Sequence, residues 1–223
     1  MDDTTPAEQR AIRVEWAPGS VVAQVILNRP DVRNAFDDTL IRELREALRM
    51  LREPILSGDQ GPRAVVLTGE GRAFSAGADL AWMQRQRDAS LSENVADARE
   101  LARLLRDLYQ FPALTIARVN GHAIGGGTGL VAACDVAIGV PAATFAFSEV
   151  RLGLVPAVIG PYVLRRIGER HARQWFLTGA SFDAEVALRI GLLHEVVDPT
   201  GLDAAVQRPI DAVRMAGPNA VRE

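Results

Sequence analysis

Two glycine-rich stretches carry the groups best suited to chemistry in this sequence. The first runs Gly69-Glu-Gly-Arg-Ala-Phe-Ser-Ala-Gly77-Ala-Asp-Leu80, the second Asn120-Gly-His-Ala-Ile-Gly125-Gly-Gly-Thr-Gly129-Leu. Each follows an apolar, strand-like run and leads into a helical pattern, which in the first case begins near Asp79. Glycine at such a junction lets a substrate approach the backbone, and the first helical turn offers unpaired N–H donors at a positive dipole end. Two such junctions face to face would give two N–H groups to one oxygen. That is an oxyanion hole, in which each donor is worth about 10²–10³ in rate. Glycine-rich strand–helix turns also serve packing and phosphate binding, and composition alone leaves those uses open. A third feature is Glu149, a lone acid in the apolar stretch 144–154. Partial burial there would raise its pKa toward a value useful for acid–base work. The competing reading is a surface glutamate paired with Arg151.

Other chemistries fail on residue type or spacing. Gly125-Gly-Gly-Thr-Gly129 is not the G-x-G-x-x-G of a dinucleotide site. Ser75 lacks the first glycine of a G-x-S-x-G elbow. A serine hydrolase also needs a histidine base, and the three histidines are His122, His171 and His194. His122 adjoins the second glycine loop, where a capping or supporting role suits it better than that of a base. No His, Cys or carboxylate spacing resembles a zinc site, so no metal is expected. All 25 basic residues are Arg. Without lysine there is no Walker-type phosphate loop, pyridoxal enzyme or Schiff-base aldolase.

The elements that must hold these groups read as an α/β pattern. Strands are expected at 14–16 and 21–27, forming a hairpin about Pro18-Gly-Ser20, and at 64–67, 114–119, 134–138, 144–146 and 192–197. An amphipathic helix covers 37–51, with Leu40, Ile41, Leu44, Ala47, Leu48 and Leu51 at helical spacing and Asp37 or Asp38 as N-cap. A Pro/Gly-rich connection follows at 54–62. Further helices are expected at 92–109, capped by Ser92, and at 161–166, 171–177, 184–190 and 202–215. Strands separated by helical segments imply crossover connections.

With 223 residues, 48% of them hydrophobic, the chain can bury a substantial core. A net charge of −3 disfavours nucleic acid as a partner. No apolar run is long enough to span a bilayer, and the polar, acidic start lacks a secretory signal. The one cysteine, Cys134, cannot form an internal disulfide; it reads as a small buried side chain in a cytoplasmic protein.

The segments Phe74-Ser-Ala-Gly-Ala-Asp-Leu80 and Asn120-Gly-His-Ala-Ile-Gly-Gly-Gly127 resemble the two signature loops of the crotonase (enoyl-CoA hydratase/isomerase) family. Asn28-Arg-Pro-Asp-Val-Arg-Asn-Ala-Phe36, Cys134-Asp135, Phe145, Ser148-Glu-Val-Arg-Leu-Gly-Leu154, Leu177-Thr-Gly-Ala180 and Gly191-Leu-Leu match in the same order. The resemblance implies a ClpP-like fold of repeated ββα units over residues 1–167. A C-terminal helical segment, shorter than usual, would occupy 168–223. It also implies a homotrimer or homohexamer, and an acyl-CoA thioester held by the backbone N–H groups of Ala78 and Gly126. Coenzyme A, part of the substrate and not a cofactor, would run along Arg33–Ala35 and the Ser75, Ala76, Asp79 and Leu80 loop beside Gly125. Trp82, Met83, Val155 and Pro156 would line the acyl site.

Hydratases of the family carry two glutamates, and the resemblance matches them to Glu149 and to position 129, which here is Gly. A single base suits proton transfer from Cγ to Cα, as in a Δ3–Δ2 isomerase, and the missing carboxylate at Gly129 also leaves a non-catalytic acyl-CoA-binding homologue as an alternative. Yet Ser75–Met83, 93–99 and 148–157 resemble the bacterial methylglutaconyl-CoA/carboxygeranoyl-CoA hydratases, of leucine and terpenoid breakdown, and Gly129 does too. Hydration is therefore the expected reaction, with Arg151 or Arg165 as candidate partners for a second substrate carboxylate.

Overall fold

The computed structural model describes residues 10–217, 220 and 221. Strand β1 (Ile12–Glu15) pairs antiparallel with β2 (Val22–Leu27), giving the expected hairpin. Helix α1 (Asp38–Ser57) follows, capped by the Asp37 side chain, which accepts from the Leu40 N–H. Its buried face comprises Leu40, Ile41, Leu44, Ala47, Leu48, Leu51 and Ile55. Each large member contributes about 1.5–3 kcal/mol by leaving water. The helix overruns the connection expected at 54–62: Pro54 lies inside it, and the stop comes at Gly58, whose φ of 86° ends the last turn. Burial of Ile55 on the same apolar face keeps the turn after Pro54 helical.

Next come β3 (Ala64–Gly69), β4 (Ala73–Ser75), α2 (Leu80–Asp88) and α3 (Leu91–Tyr109). The α3 cap is Ser90, not Ser92: its hydroxyl accepts from the Glu93 N–H, while the Glu93 carboxylate accepts from the Ser90 N–H. Then follow β5 (Leu114–Val119), β6 (His122–Ile124), α4 (Gly126–Ala133), β7 (Val136–Gly139) and β8 (Thr144–Ala146). The seventh strand starts later than expected because the Asp135 carboxylate ties back to the Thr115 N–H and hydroxyl at 2.8 and 2.7 Å. The two helices expected at 161–166 and 171–177 are present as the two halves of α5 (Gly160–Thr178), separated at Gly168, whose φ of 73° and ψ of 160° are not helical. After it lie β9 (Ser181–Asp183), α6 (Ala184–Arg189), β10 (Glu195–Val196) and α7 (Leu202–Met215). The last strand is shorter than expected because the Leu192 and Leu193 N–H groups both turn back to the Ala187 carbonyl.

The strands form two sheets. One has the order β1-β2-β3-β5-β7-β10, the other β4-β6-β8-β9. Successive pairs, β3–β4, β5–β6 and β7–β8, contribute one strand to each sheet and then lead to a helix, which is the repeated ββα pattern. Helix α4 is buried all along from Gly127 to Ala133, as its uniformly apolar composition requires. Phe74, Phe145 and Phe147 are fully buried around the small sheet. Among the described residues, no helix is long and apolar enough to cross a membrane.

Candidate active site

Strands β4, β6 and β8 are parallel neighbours in the small sheet, with Ser75 paired to Ala123 and Ile124 to Ala146. Adjacent strands lie about 4.8 Å apart, so the segments leaving their C-terminal ends start side by side. Those segments are Ala76–Asp79, Gly125–Gly126 and Phe147–Glu149. The three sequence features thus share one edge because three very short strands are parallel neighbours in one sheet, with a bulge between Ala73 and Ser75. Carboxyl ends of parallel strands are where α/β proteins commonly bind ligands.

The two glycine loops touch through their backbones. A Cβ on Gly77, whose φ is 83°, would stand 2.7 Å from the Ile124 carbonyl oxygen, and one on Gly127 would stand 2.8 Å from that of Ser75. Only residues without side chains permit this approach. Gly125 has φ 51° and ψ −118°, a conformation that side chains rarely adopt, and its N–H donates to the Ala146 carbonyl at 2.8 Å. Phe36 connects both loops. Its N–H donates to the Gly77 carbonyl at 2.7 Å and its carbonyl accepts from the Asp79 N–H at 2.8 Å. Its ring lies against Gly126, 2.8 Å from where a Cβ would be. Between these bonds the N–H groups of Ala78 and Gly126 have no protein acceptor among the described residues.

Glu149 begins the turn Glu149–Leu152 after Ser148. Its Oε1 lies 3.4 Å from the point a Cβ on Gly125 would occupy, and Cδ lies 3.9 Å away. The carboxyl therefore rests on the second glycine loop, immediately before Gly126. Oε2 is buried and has no hydrogen-bond partner among the described residues. Burial raises the Glu149 pKa above the usual carboxylate range, while a hydrogen bond from its own backbone partly opposes the rise. No ion pair joins it to Arg151 among the described residues. The Arg151 side chain instead packs along Gly179, its Nε 3.2 Å from where a Cβ there would sit.

Other expected residues fall as follows. Arg33 is exposed, with φ 53°, and Ala35 is buried next to it. Ser75 is fully buried, and its hydroxyl donates to the Asn34 carbonyl at 2.8 Å, so it supports the loop from beneath. Ala76 donates its N–H to the Arg33 carbonyl at 2.8 Å, joining the two segments expected along coenzyme A. Asp79 caps α2, accepting from the Ala81 and Trp82 N–H groups. Leu80 and Val155 stand exposed, whereas Pro156 is buried. The Trp82 indole N–H donates to the Asp38 carboxylate on α1, and its ring packs against the core. Arg165 lies over the Tyr109 ring, 5.2 Å from its centroid. His122 shares a hydrogen bond with Thr144 and is exposed. Cys134 is buried, which pushes its thiol pKa up and leaves it inert. No group of three or more potential metal ligands occurs among the described residues.

Position 129 is closed to a carboxylate. A Cβ on Gly129 would lie 2.3 Å from Cγ2 and 3.0 Å from Cβ of Ile159, a residue with 2% exposure. Sequence reasoning missed Ile159, because no local pattern signals a partner 30 residues away. It also missed the roles of Arg29 and Asn34. The buried Asn34 donates to the Glu70 and Ala73 carbonyls at 3.0 and 2.9 Å and accepts from the Arg29 N–H. It thereby clamps residues 29–36 to the β3–β4 turn. Both residues lie in the quoted Asn28–Phe36 motif, which was the available signal.

Comparison with known proteins agrees with this architecture. The family described as enoyl-CoA hydratase/isomerase matches residues 18–222. A putative enoyl-CoA hydratase from Thermus thermophilus is 39% identical over 178 residues, covering 80% of this chain and 68% of that protein. The crystal structure of an enoyl-CoA hydratase from Shewanella pealeana superposes with a TM-score of 0.90 at 40% identity, covering 100% of this chain and 81% of that one. AtuE of Pseudomonas aeruginosa gives 0.89 at 36% identity, covering 96% and 80%.

Proposed function

This chain belongs to the enoyl-CoA hydratase/isomerase (crotonase) family, and from that premise we propose that it adds water across the 2,3 double bond of an enoyl-CoA thioester. The observation that carries the reading is the Glu149 carboxyl resting on Gly125, between loops whose Ala78 and Gly126 N–H groups have no protein acceptor among the described residues. In this reading the thioester oxygen accepts from those two amides. Electron withdrawal through the carbonyl makes Cβ electrophilic and stabilises the enolate formed next. Glu149 takes a proton from water as the water oxygen bonds to Cβ. The same carboxyl then returns a proton to Cα, the enolate collapses to the thioester, and Glu149 regains its starting state. One carboxylate completes the cycle, and the raised pKa suits a group that must both accept and donate. Coenzyme A enters only as part of the substrate. Exposed Arg33, with no ion-pair partner among the described residues, is available to its phosphates.

The finer substrate class we propose is a branched, carboxylated enoyl-CoA of the methylglutaconyl kind, supported by the sequence resemblance around Ser75–Met83, 148–157 and Gly129. Δ3–Δ2 isomerisation is the second reading, favoured by Ile159 filling the side of Gly129. Loss of enoyl absorbance with crotonyl-CoA or 3-methylglutaconyl-CoA tests hydration. Inertness toward both, together with conversion of a 3-enoyl-CoA, would replace it by isomerisation.

A further inference from the structure

Arg29 joins three pieces of chain around the first proposed donor. Its Nη1 donates to the Ala35 carbonyl at 2.7 Å. Its Nη2 lies 3.0 Å from Asp37 Oδ2 and 3.4 Å from Asp79 Oδ2. The three side chains are 23%, 20% and 14% exposed, so the cluster is poorly screened by solvent. Each carboxylate also does a second job with its other oxygen. Asp37 Oδ1 accepts from the Leu40 N–H at 2.8 Å and so caps α1. Asp79 Oδ1 accepts from the Ala81 and Trp82 N–H groups at 2.9 and 3.1 Å and so caps α2. One guanidinium therefore ties together the starts of two helices that both begin just after the parallel Phe36–Ala78 bridge.

That bridge sets where the Ala78 N–H points. Phe36 holds the residue before Ala78 through the Gly77 carbonyl and the residue after it through the Asp79 N–H. Ala78 itself is held only by its neighbours, so the aim of its amide depends on how firmly Asp79 and the Ala35–Asp37 segment are fixed to each other. Capping alone does not fix them, because each cap is internal to its own helix. Arg29 supplies the cross-link. Two carboxylates turned toward one site would otherwise repel.

We propose that Arg29 is a positioning residue for the oxyanion hole, acting through Asp37 and Asp79 to hold the Ala78 amide on the substrate carbonyl. The inference rests on the reading of Ala78 and Gly126 as the donors. Lysine cannot replace Arg29, since one ammonium lacks the planar fork that reaches a carbonyl on one side and two carboxylates on the other.

The test uses the whole chain and a bound 2,4-dienoyl-CoA, whose absorption moves to the red when its carbonyl is polarised. Arg29→Lys and Asp79→Asn are compared with wild type; asparagine keeps an oxygen for the α2 cap and turns an uncharged NH2 toward Arg29, which breaks the ion pair. Arg29→Lys should bind with Kd and KM changed less than about threefold, and the two variants are compared at saturating dienoyl-CoA. They should lose part of the red shift and fall roughly 10- to 100-fold in kcat, the cost of a misplaced reacting group. If Arg29→Lys does not fold, Asp79→Asn decides alone. A full red shift and unchanged kcat in the folded variants, with only Tm lowered, would reduce Arg29 to a structural tie and overturn the proposal. Absence of a red shift in wild type would instead sink the oxyanion reading itself, and this inference with it.

Discussion

Replacing Glu149 by glutamine keeps the size of the side chain and removes its charge, and the two consequences run in opposite directions. For catalysis the loss is that of the one acid–base group, about 10²–10⁴ in rate. At 1.36 kcal/mol per decade this raises the barrier by about 2.7–5.5 kcal/mol. For stability the change is favourable. Burial raises the Glu149 pKa, and Oε2 has no partner among the described residues. The folded state thus holds this proton more tightly than the unfolded chain does. That advantage is fully present below the unfolded glutamate value of about 4.3, and is lost as the pH rises through the folded pKa. Glutamine has no such dependence. The Tm of Glu149→Gln minus that of wild type should therefore be flat under acid conditions, climb with pH, and level off above the folded pKa. Relief of an unfavourable active-site group is typically worth about 1 kcal/mol, or roughly 2–4 °C for a chain of this size. Thermal melts across that range, paired with hydration rates, measure both effects. A variant less stable than wild type at neutral pH, or one that retains its rate, would refute the placement of Glu149 as a strained, working carboxyl.

Gly129→Glu should not create a second acid: its Cβ would meet Ile159 at 2.3 Å, and overpacking of this kind costs about 1–3 kcal/mol. Melting and hydratase assays of Gly129→Glu, alone and with Ile159→Ala, check this; unchanged Tm with raised activity in the single variant would contradict the packing argument. Gly125→Ala should cost about 1–3 kcal/mol from backbone strain and lose most activity, because its φ is 51°, which a side chain rarely adopts, and relief of that strain would move the loop that carries the Gly126 N–H. A Gly125→Ala protein with wild-type Tm and kcat would show that the loop relaxes freely.

Much of this was legible in sequence because it was written in long, periodic patterns. The buried face of α1 and the last helix over Leu202–Met215 follow from helical spacing, and of the two candidate caps, Asp37 and Asp38, the structure uses Asp37. What escaped was short. Strands β4, β6 and β9 have three residues each, too few for a period; β8 is as short but is readable from its Thr-Phe-Ala run, whereas β4 and β6 lie inside glycine-rich stretches that read as loops. Yet β4 and β6, paired with β8, are what bring the glycine loops and Glu149 to one edge. Chemistry was thus readable from residue types, while its assembly was a matter of non-local pairing. The same holds for Arg29, whose partners lie 6, 8 and 50 residues on.

Non-local packing also explains why position 129 and Glu149 belong together. Gly129 lies one turn inside a helix buried from Gly127 to Ala133, so anything larger must displace a neighbour. That neighbour, Ile159, immediately precedes α5, and the Gly160 N–H donates to the Pro156 carbonyl at 2.8 Å. Pro156 closes the same loop that Glu149 opens, where the Leu154 N–H donates to the Glu149 carbonyl at 3.0 Å. The segment that presents the remaining carboxyl is therefore continuous with the one that fills the space beside Gly129. A glutamate at 129 would push on Ile159 and, through it, on the loop that seats Glu149 against Gly125. The apolar contact at 129 and the seating of the single carboxyl are one packing solution. A site built this way depends on one group to take and return the proton, which is why its tolerance for movement of residues 149–160 should be small.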